Sequence, residues 1–379
     1  MNIYSYVDKY GKYNFEEVPF NEVDNAVFSL LSYINLKGIV SKNKITLNKV
    51  GNKYFEIYPK KTKKVLSVKR AIKLLRYIKD TKRYKDLIVY NYVYRKGKEE
   101  QFCALTIEIN PKLVYVSFEG TDDLVSGWRE DFILTYKFPV RSQIRAINYI
   151  NRNFIFNRKK IILGGHSKGG NLALVAGMYA SSFIKNRIIK IYNNDGPGLL
   201  KEQFESKEYF SIKDRLVHII PYCSVVGILL HHDNNFISVR TLIKGLIAHD
   251  MCTWVVKDNS FMRKELDNFN ESLSKEIIYW LDKYNLEERE KFVKAMFDIF
   301  ERAHINSLLD VTENKKLIIK FINESKEVDE ESKEILKDFI GMIIKCFATV
   351  KKEEIKNFIE TKFNKDKNKK DCTLTENNV

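Results

Sequence analysis

The stretch KKIILGGHSKGGNLALVAGMYA, residues 159–180, constrains the fold more than any other part of the chain. It passes from an apolar, β-branched run directly into a run of small and apolar residues. Ser167 stands at the junction, with Gly165 and Gly169 two places before and after it. A serine on a sharp strand-to-helix turn adopts strained backbone angles, and side chains at the flanking positions would collide with each other and with an approaching molecule. Glycine at both positions removes that obstacle. The helix expected from Lys168 onward points its first amides at the turn, which makes the Lys168 N–H a candidate donor to a developing oxyanion. Ser167 is therefore the candidate nucleophile. His166 is adjacent, but a neighbouring side chain on so sharp a turn points away from the serine, so a packing role is expected for it.

The pattern around this stretch fits an α/β sheet. Residues 86–119 contain three apolar runs, DLIVYNYVYR, QFCALTIEI and KLVYVSF, broken by Lys-Gly-Lys and Asn-Pro turns. Their short spacing predicts an antiparallel meander. Strand and helix then alternate: a helix over Arg141–Phe154, a strand over Lys160–Leu163, the helix from Lys168, and strands over Arg187–Tyr192 and Arg215–Ile220. Such alternation builds a parallel sheet with helices on its faces. Upstream, Val23, Val27, Leu30, Leu31 and Ile34 recur at helical spacing after a capping Asn21. A short strand over Lys44–Val50 and a basic helix over Ser67–Lys79 follow, the helix with an apolar stripe of Val65, Val68, Ile72, Leu75 and Ile78. Past Asp258 the strands stop and Lys/Glu-rich helical periodicity takes over. The expected organisation is an N-terminal helical segment (1–85) packing on the core, a core (86–257), a helical C-terminal region (258–363) and a polar, disordered tail (364–379).

Composition narrows the rest. The first residues lack a basic start followed by an apolar stretch, and no segment reaches the eighteen or so uninterrupted apolar residues of a membrane span, so a cytoplasmic protein is expected. Five cysteines, odd in number and far apart, suggest reduced thiols instead of a disulfide framework or a zinc site. Cys223 and Cys252 lie near histidines and are the two that could rival Ser167 as nucleophile. The net charge of +16 is concentrated at residues 60–85, which hold twelve Lys or Arg and one acid, Asp80. That patch fits a solvated face in a Lys-, Asn- and Ile-rich chain, or a peripheral contact with an anionic membrane. Nucleic acid is a weaker match, because no helix-turn-helix, zinc-finger or RNP-like signature accompanies the charge.

These motifs resemble a family, the class-3 lipase-like α/β hydrolases. GHSKGG is similar to that family's GHSxGG, and VYVSFEGTDDLVSGWREDF looks like its upstream apolar strand, Gly-Thr turn and following Trp and Asp. DNAVFSLLSY, FEGT, GHSKGGNLA, NNDGPG, SVVGILL and AHDMCTW together resemble an uncharacterised bacterial branch of these hydrolases, over about residues 1–260. The resemblance implies an α/β-hydrolase fold with a mixed, mostly parallel sheet, extended here by C-terminal helices. It also implies that Thr121 sits at the second oxyanion position; an ordinary Gly-Thr turn is the plainer alternative. Glu119 stands where the family commonly has Arg.

In α/β hydrolases the triad order is Ser, acid, His. His218, His231, His232, His249 and His304 follow Ser167, but His218 lies inside an apolar strand and His304 in a helical region. His249, in the loop-like GLIAHDMCTW, matches the related branch's His-Asp followed by Trp and is the candidate base. His231 and His232, followed by Asp233, are held in reserve. No helical i, i+4 ligand spacing suggests a metal, and no cofactor is expected. The acid of class-3 lipases follows the strand equivalent to RLVHIIP, where this chain reads Ser224-Val-Val-Gly. Asp195 in IYNNDGPG ends the preceding strand and is the candidate acid, unless it only stabilises the Gly-Pro-Gly turn.

The expected chemistry is hydrolysis of an ester or thioester of a lipid or acylated small molecule through an acyl-enzyme on Ser167. The apolar run Val225–Leu230 is a candidate acyl pocket. The rival expectation is a non-catalytic binding or scaffolding protein on the same fold.

Overall fold

The computed structural model describes residues 1–59, 65–97, 101–121, 125–305, 320 and 323–342. Among these residues eight strands join into one sheet in the order of the chain: β1 (Ile45–Thr46), β2 (Ile88–Lys96), β3 (Gln101–Asn110), β4 (Leu113–Phe118), β5 (Lys160–His166), β6 (Ile188–Asn194), β7 (Leu216–Pro221) and β8 (Ile237–Val239). β1 to β4 pair antiparallel, as the short turns between β2, β3 and β4 dictate. From β4 to β8 every pairing is parallel. Parallel neighbours need crossovers, and successive right-handed crossovers in one direction place their helices on one face.

That face carries α6 (Arg141–Phe154) and α7 (Lys168–Met178), which bury Ala146, Ile150, Leu172 and Val175 against Val114, Val116 and Leu163 of the sheet. The opposite face is covered by the N-terminal helices α1 (Ile3–Tyr10), α2 (Glu22–Leu31), α3 (Leu47–Ile57) and α4 (Leu66–Ile78), packed on Tyr115, Ile162 and Tyr192. With both faces covered, β4 and β5 read as nearly continuous apolar runs. α2 is capped as its sequence suggests, Asn21 accepting from the Val23 and Asp24 amides. Its Asp24 is fully buried but meets Arg83 at 2.5 Å and the Tyr84 hydroxyl at 2.7 Å, so the charge is paired.

α5 (Val125–Ile133) follows the β4 turn, and α8 (Asn268–Lys283) and α9 (Leu286–Arg302) come after the sheet. α8 and α9 share a third apolar cluster with Ile220, Ile228 and Leu230 near the carboxyl end of β7. Among the described residues no helix is long and apolar enough to cross a membrane.

Several expectations need correction. The strand expected over Lys44–Val50 is only Ile45–Thr46, because Thr46 caps a helix by accepting from the Lys49 amide. β8 was hidden by its length of three residues. Strands continue past Asp258, since Val256–Lys257 pairs with Ser260–Phe261. The basic helix buries Ala71, Leu74, Leu75 and Ile78, so the inner part of its apolar face is spent on the protein core. The expected tail, 364–379, and residues 343–363 lie outside the described residues.

Candidate active site

Ser167 follows the last residue of β5 and precedes the first of α7, with φ 57° and ψ −135°. A non-glycine residue at such angles is strained, and the surrounding bonds hold it there. Its amide donates to Asn194 O at 2.9 Å, and its carbonyl accepts from Gly170 at 2.8 Å. The flanking glycines are required by contact: a Cβ on Gly165 would lie 2.3 Å from the Gly169 carbonyl carbon, and one on Gly169 would lie 2.2 Å from Phe118 O. A Cβ on Gly120 would meet Ser167 Cβ at 3.0 Å, so the turn after β4 lies against the serine.

Asp195 emerges from β6 with φ 49° and is completely buried. Its Oδ2 is 2.6 Å from His249 Nδ1. Its Oδ1 accepts from Ser224 Oγ at 2.5 Å and from the Gly227 amide at 3.0 Å. Ser224 follows β7, where the family resemblance implied the acid; here that position holds the carboxylate that β6 supplies. A carboxylate oxygen accepts, so His249 Nδ1 donates the bond to Oδ2 and its Nε2 faces away from Asp195.

His249 ends a 3₁₀ turn, Gly245–His249. Its carbonyl accepts from His166 Nε2 at 2.7 Å, while the Tyr33 hydroxyl lies 2.9 Å from His166 Nδ1. A carbonyl cannot donate, so Nε2 of His166 holds the proton and Tyr33 donates to Nδ1. Burial, reinforced by the neighbouring His249, pushes the His166 pKa well below the usual imidazole range, which keeps the ring neutral. His166 thus does more than pack, because it bonds the main chain of the candidate base. The following Asp250 pairs with Arg70 of α4 at 2.8 Å. Among the described residues Ser167 Oγ and His249 Nε2 share no hydrogen bond; such contacts in ligand-free sites are commonly long and close on substrate.

Lys168 occupies the first position of α7, where the amide has no intrahelical acceptor. Its side chain is buried and reaches Glu130 Oε2 at 2.6 Å. Burial opposes that charge, but Glu130 and Asp131 outweigh it and raise the lysine pKa. The Thr121 hydroxyl donates to Asp131 Oδ2 at 2.6 Å, which orients the residue that ends the β4 turn. Burial lifts the Asp131 pKa to about 6 against the pull of Lys168 and Thr121. Tyr33 and Glu130 gave no site signal in the sequence, whereas Asp131 stood in the family-like Trp-and-Asp motif and Ser224 at the family's acid position, with the partner of neither visible there.

The other histidines lie apart. His218 is packed inside β7, where burial lowers its pKa to about 3, and among the described residues its Nε2 has no hydrogen-bond partner. His218, His231 and His232 line a separate small cavity with Tyr209 and Asp233. His304 follows the end of α9. Cys223 and Cys252 are buried, and burial raises both thiol pKa values, which disfavours the thiolate a nucleophile needs. Among the described residues no group of three or more His, Cys, Asp or Glu side chains could hold a metal ion.

A cavity of about 690 Å³ adjoins this machinery. His166, His249 and Asp131 border it, and most of its wall is aliphatic or aromatic.

Among solved structures, the lipase from Rhizopus microsporus var. chinensis is similar at 15% identity, over 62% of this chain and 86% of that one, with a TM-score of 0.33. M37 lipase is similar at 14% identity, over 54% and 68%, with a TM-score of 0.32. The Rhizomucor miehei lipase–propeptide complex is similar at 12% identity, over 57% and 67%, with a TM-score of 0.33. No curated protein matches the chain. The sequence pattern of the Mbeg1-like family matches residues 78–298, more than half of the chain, and spans Thr121, Ser167, Asp195 and His249. On that match this α/β-hydrolase chain belongs to the Mbeg1-like family.

Proposed function

We propose that the chain is a serine hydrolase that cleaves an ester or thioester of a lipid or an acylated small molecule. The observation that carries the reading is the 2.6 Å bond from His249 Nδ1 to a buried Asp195 carboxylate beside a strained Ser167. His249 Nε2 takes the Ser167 proton as Oγ attacks the carbonyl carbon. The oxyanion is met by the amides of Lys168 and Thr121. Collapse breaks the bond to the leaving group, which receives the proton from His249. Water, deprotonated by His249, then attacks the acyl-enzyme, releasing the carboxylic acid and restoring the serine hydroxyl. No cofactor enters the scheme.

Within the family, the motifs of the first 260 residues support kinship with a bacterial branch. A cytoplasmic location, with peripheral contact to anionic membrane through the cations of α4, fits the same reading. A non-catalytic binding protein is the rival, favoured by one observation: Ser167 is only 2% exposed. A fluorophosphonate probe and a broad ester screen on wild type and Ser167→Ala decide between them. Labelling and turnover in wild type alone support the hydrolase; a wild type that neither labels nor turns over any ester supports the rival.

A further inference from the structure

The cavity beside His249 has two walls of different origin. Trp128, Phe132 and Leu229 belong to the hydrolase core, whereas Leu273, Ile277 and Trp280 belong to α8. Its volume of about 690 Å³ falls within the ~300–1,000 Å³ of pockets that enclose most of a small ligand. An apolar chamber of this size gains by exchanging poorly bound water for an apolar guest.

The α8 wall is fastened on two sides. On one, the Asp267 amide donates to Tyr222 O at 2.9 Å, and the Asn270 side-chain amide donates to Ser224 O. On the other, Arg289 of α9 donates to Thr135 O, and the rings of Phe132 and Phe297 meet edge to face at 5.7 Å. Between these attachments Ile277, Trp280, Phe292 and Phe297 are buried in one apolar cluster with Ile220, Ile228 and Leu230, so lifting the wall would expose them to water. The chamber's volume accommodates one acyl chain and not several, and His249 on its border is where the carbonyl of that chain belongs.

We infer that this chamber takes one long, unbranched acyl chain, so that the substrates are monoacyl esters or thioesters and multi-chain lipids are excluded. The C-terminal helices then set chain length, with Ile277 as a specificity-determining residue. The reaction assigned to these substrates rests on the serine-hydrolase reading; occupancy of the chamber does not.

The experiment uses the full chain. Palmitate displaces a fluorescent fatty acid from wild type, Ser167→Ala and Ile277→Trp, and turnover is compared for palmitoyl and acetyl thioesters of one thiol and for a triolein emulsion. Palmitate binds wild type and Ser167→Ala alike. Ile277→Trp, folded by its thermal midpoint, binds palmitate about tenfold more weakly or worse and loses palmitoyl-over-acetyl preference by a similar factor. Should Ile277→Trp fail to fold, the smaller overpacking of Leu273→Phe is read in the same way. The inference is overturned if wild type does not bind palmitate, if a folded filling variant binds it unchanged, or if triolein is consumed faster than the palmitoyl thioester. Palmitate binding without any turnover keeps the chamber and removes the hydrolase reading instead.

Discussion

Ser167 sits on a turn whose required glycines and helix start lie within a few residues of it, whereas His249 sits in a 3₁₀ turn held by groups far away in the chain. The serine turn needs Gly165 and Gly169 for contact and the start of α7 for its amides. The histidine turn is fixed by Asp195 through the ring, by His166 through the carbonyl, by Arg70 through Asp250 and by Trp254 Nε1 donating to Ala248 O at 2.9 Å. One half of the site is therefore a local motif and the other a product of tertiary packing. Damage to the two halves should therefore be separable: under the proposed chemistry a change in the turn removes activity, while a change in the loop's supports weakens it in steps.

The largest effect is expected from Ser167→Ala, which should abolish probe labelling and ester turnover while leaving the thermal midpoint near wild type, because it deletes one hydroxyl from a preformed turn. Esterase activity persisting in the folded variant would sink the nucleophile assignment. Asp195→Asn comes next. It breaks the link that selects the His249 tautomer, and a drop in kcat of about 10⁴-fold is expected by analogy with triads in general. A drop below tenfold, measured on the same soluble ester, would show that Asp195 merely braces its turn.

The paired histidines sharpen the contrast further. His249→Ala should lose about 10²–10⁴-fold in turnover as a proton carrier is removed. His166→Ala, which only loosens the carbonyl of His249, should lose less. If the order were reversed in two equally folded variants, the base would be misassigned.

A smaller effect concerns stability. Burial raises Asp131 to about 6, above the ~3.9 of a free Asp. The native state thus holds that proton more tightly than the unfolded chain, and the associated stability is present below about pH 4 and lost as pH rises through about 6. Asp131→Asn stays neutral at all pH, so it should melt a few degrees above wild type at pH 8, with the gap closing by pH 4. Thermal melts at both values check the sign, and a gap that widens in acid contradicts it.

The smallest effect on chemistry is expected from replacing Lys69, Lys73 and Arg76 of α4 together with Gln. These cations face outward, Lys73 lying 4.3 Å from the Tyr4 ring and Arg76 lying 3.9 Å from that of Phe55. Binding to anionic vesicles should weaken and lose salt sensitivity, with turnover of a small soluble ester nearly unchanged. Vesicle cosedimentation at two salt concentrations reads this, and a wild type that stays unbound at low salt ends the membrane reading.

The same division explains what could be read in advance. The turn at Ser167, the β2–β4 meander and the parallel run from β4 to β7 carry their signals locally, in apolar periodicity and in glycines at fixed offsets. The Lys44–Val50 stretch misled because alternating residues mimic a strand, while one hydroxyl, that of Thr46, starts a helix there. Ser224 could be seen to replace the family's acid, but its bond to Asp195 depends on how the β6 and β7 ends meet. Tyr33 behind His166, and the α8 side of the chamber, were illegible for a similar reason. A partner contributed by another element leaves no spacing to detect.

The long-range stitching of the histidine loop has a consequence for biosynthesis. Tyr33 meets His166 across 133 positions of chain, and Tyr4 meets Cys252 across 248. A nascent polypeptide that has released residues only through Met178 carries Ser167 and its flanking glycines but not Asn194, which accepts from the Ser167 amide, nor Asp195 nor His249. Under the proposed hydrolase chemistry, Ser167 leaves the ribosome before Asp195 and His249, and the growing chain stays chemically silent until translation has passed the loop that ends at Trp254.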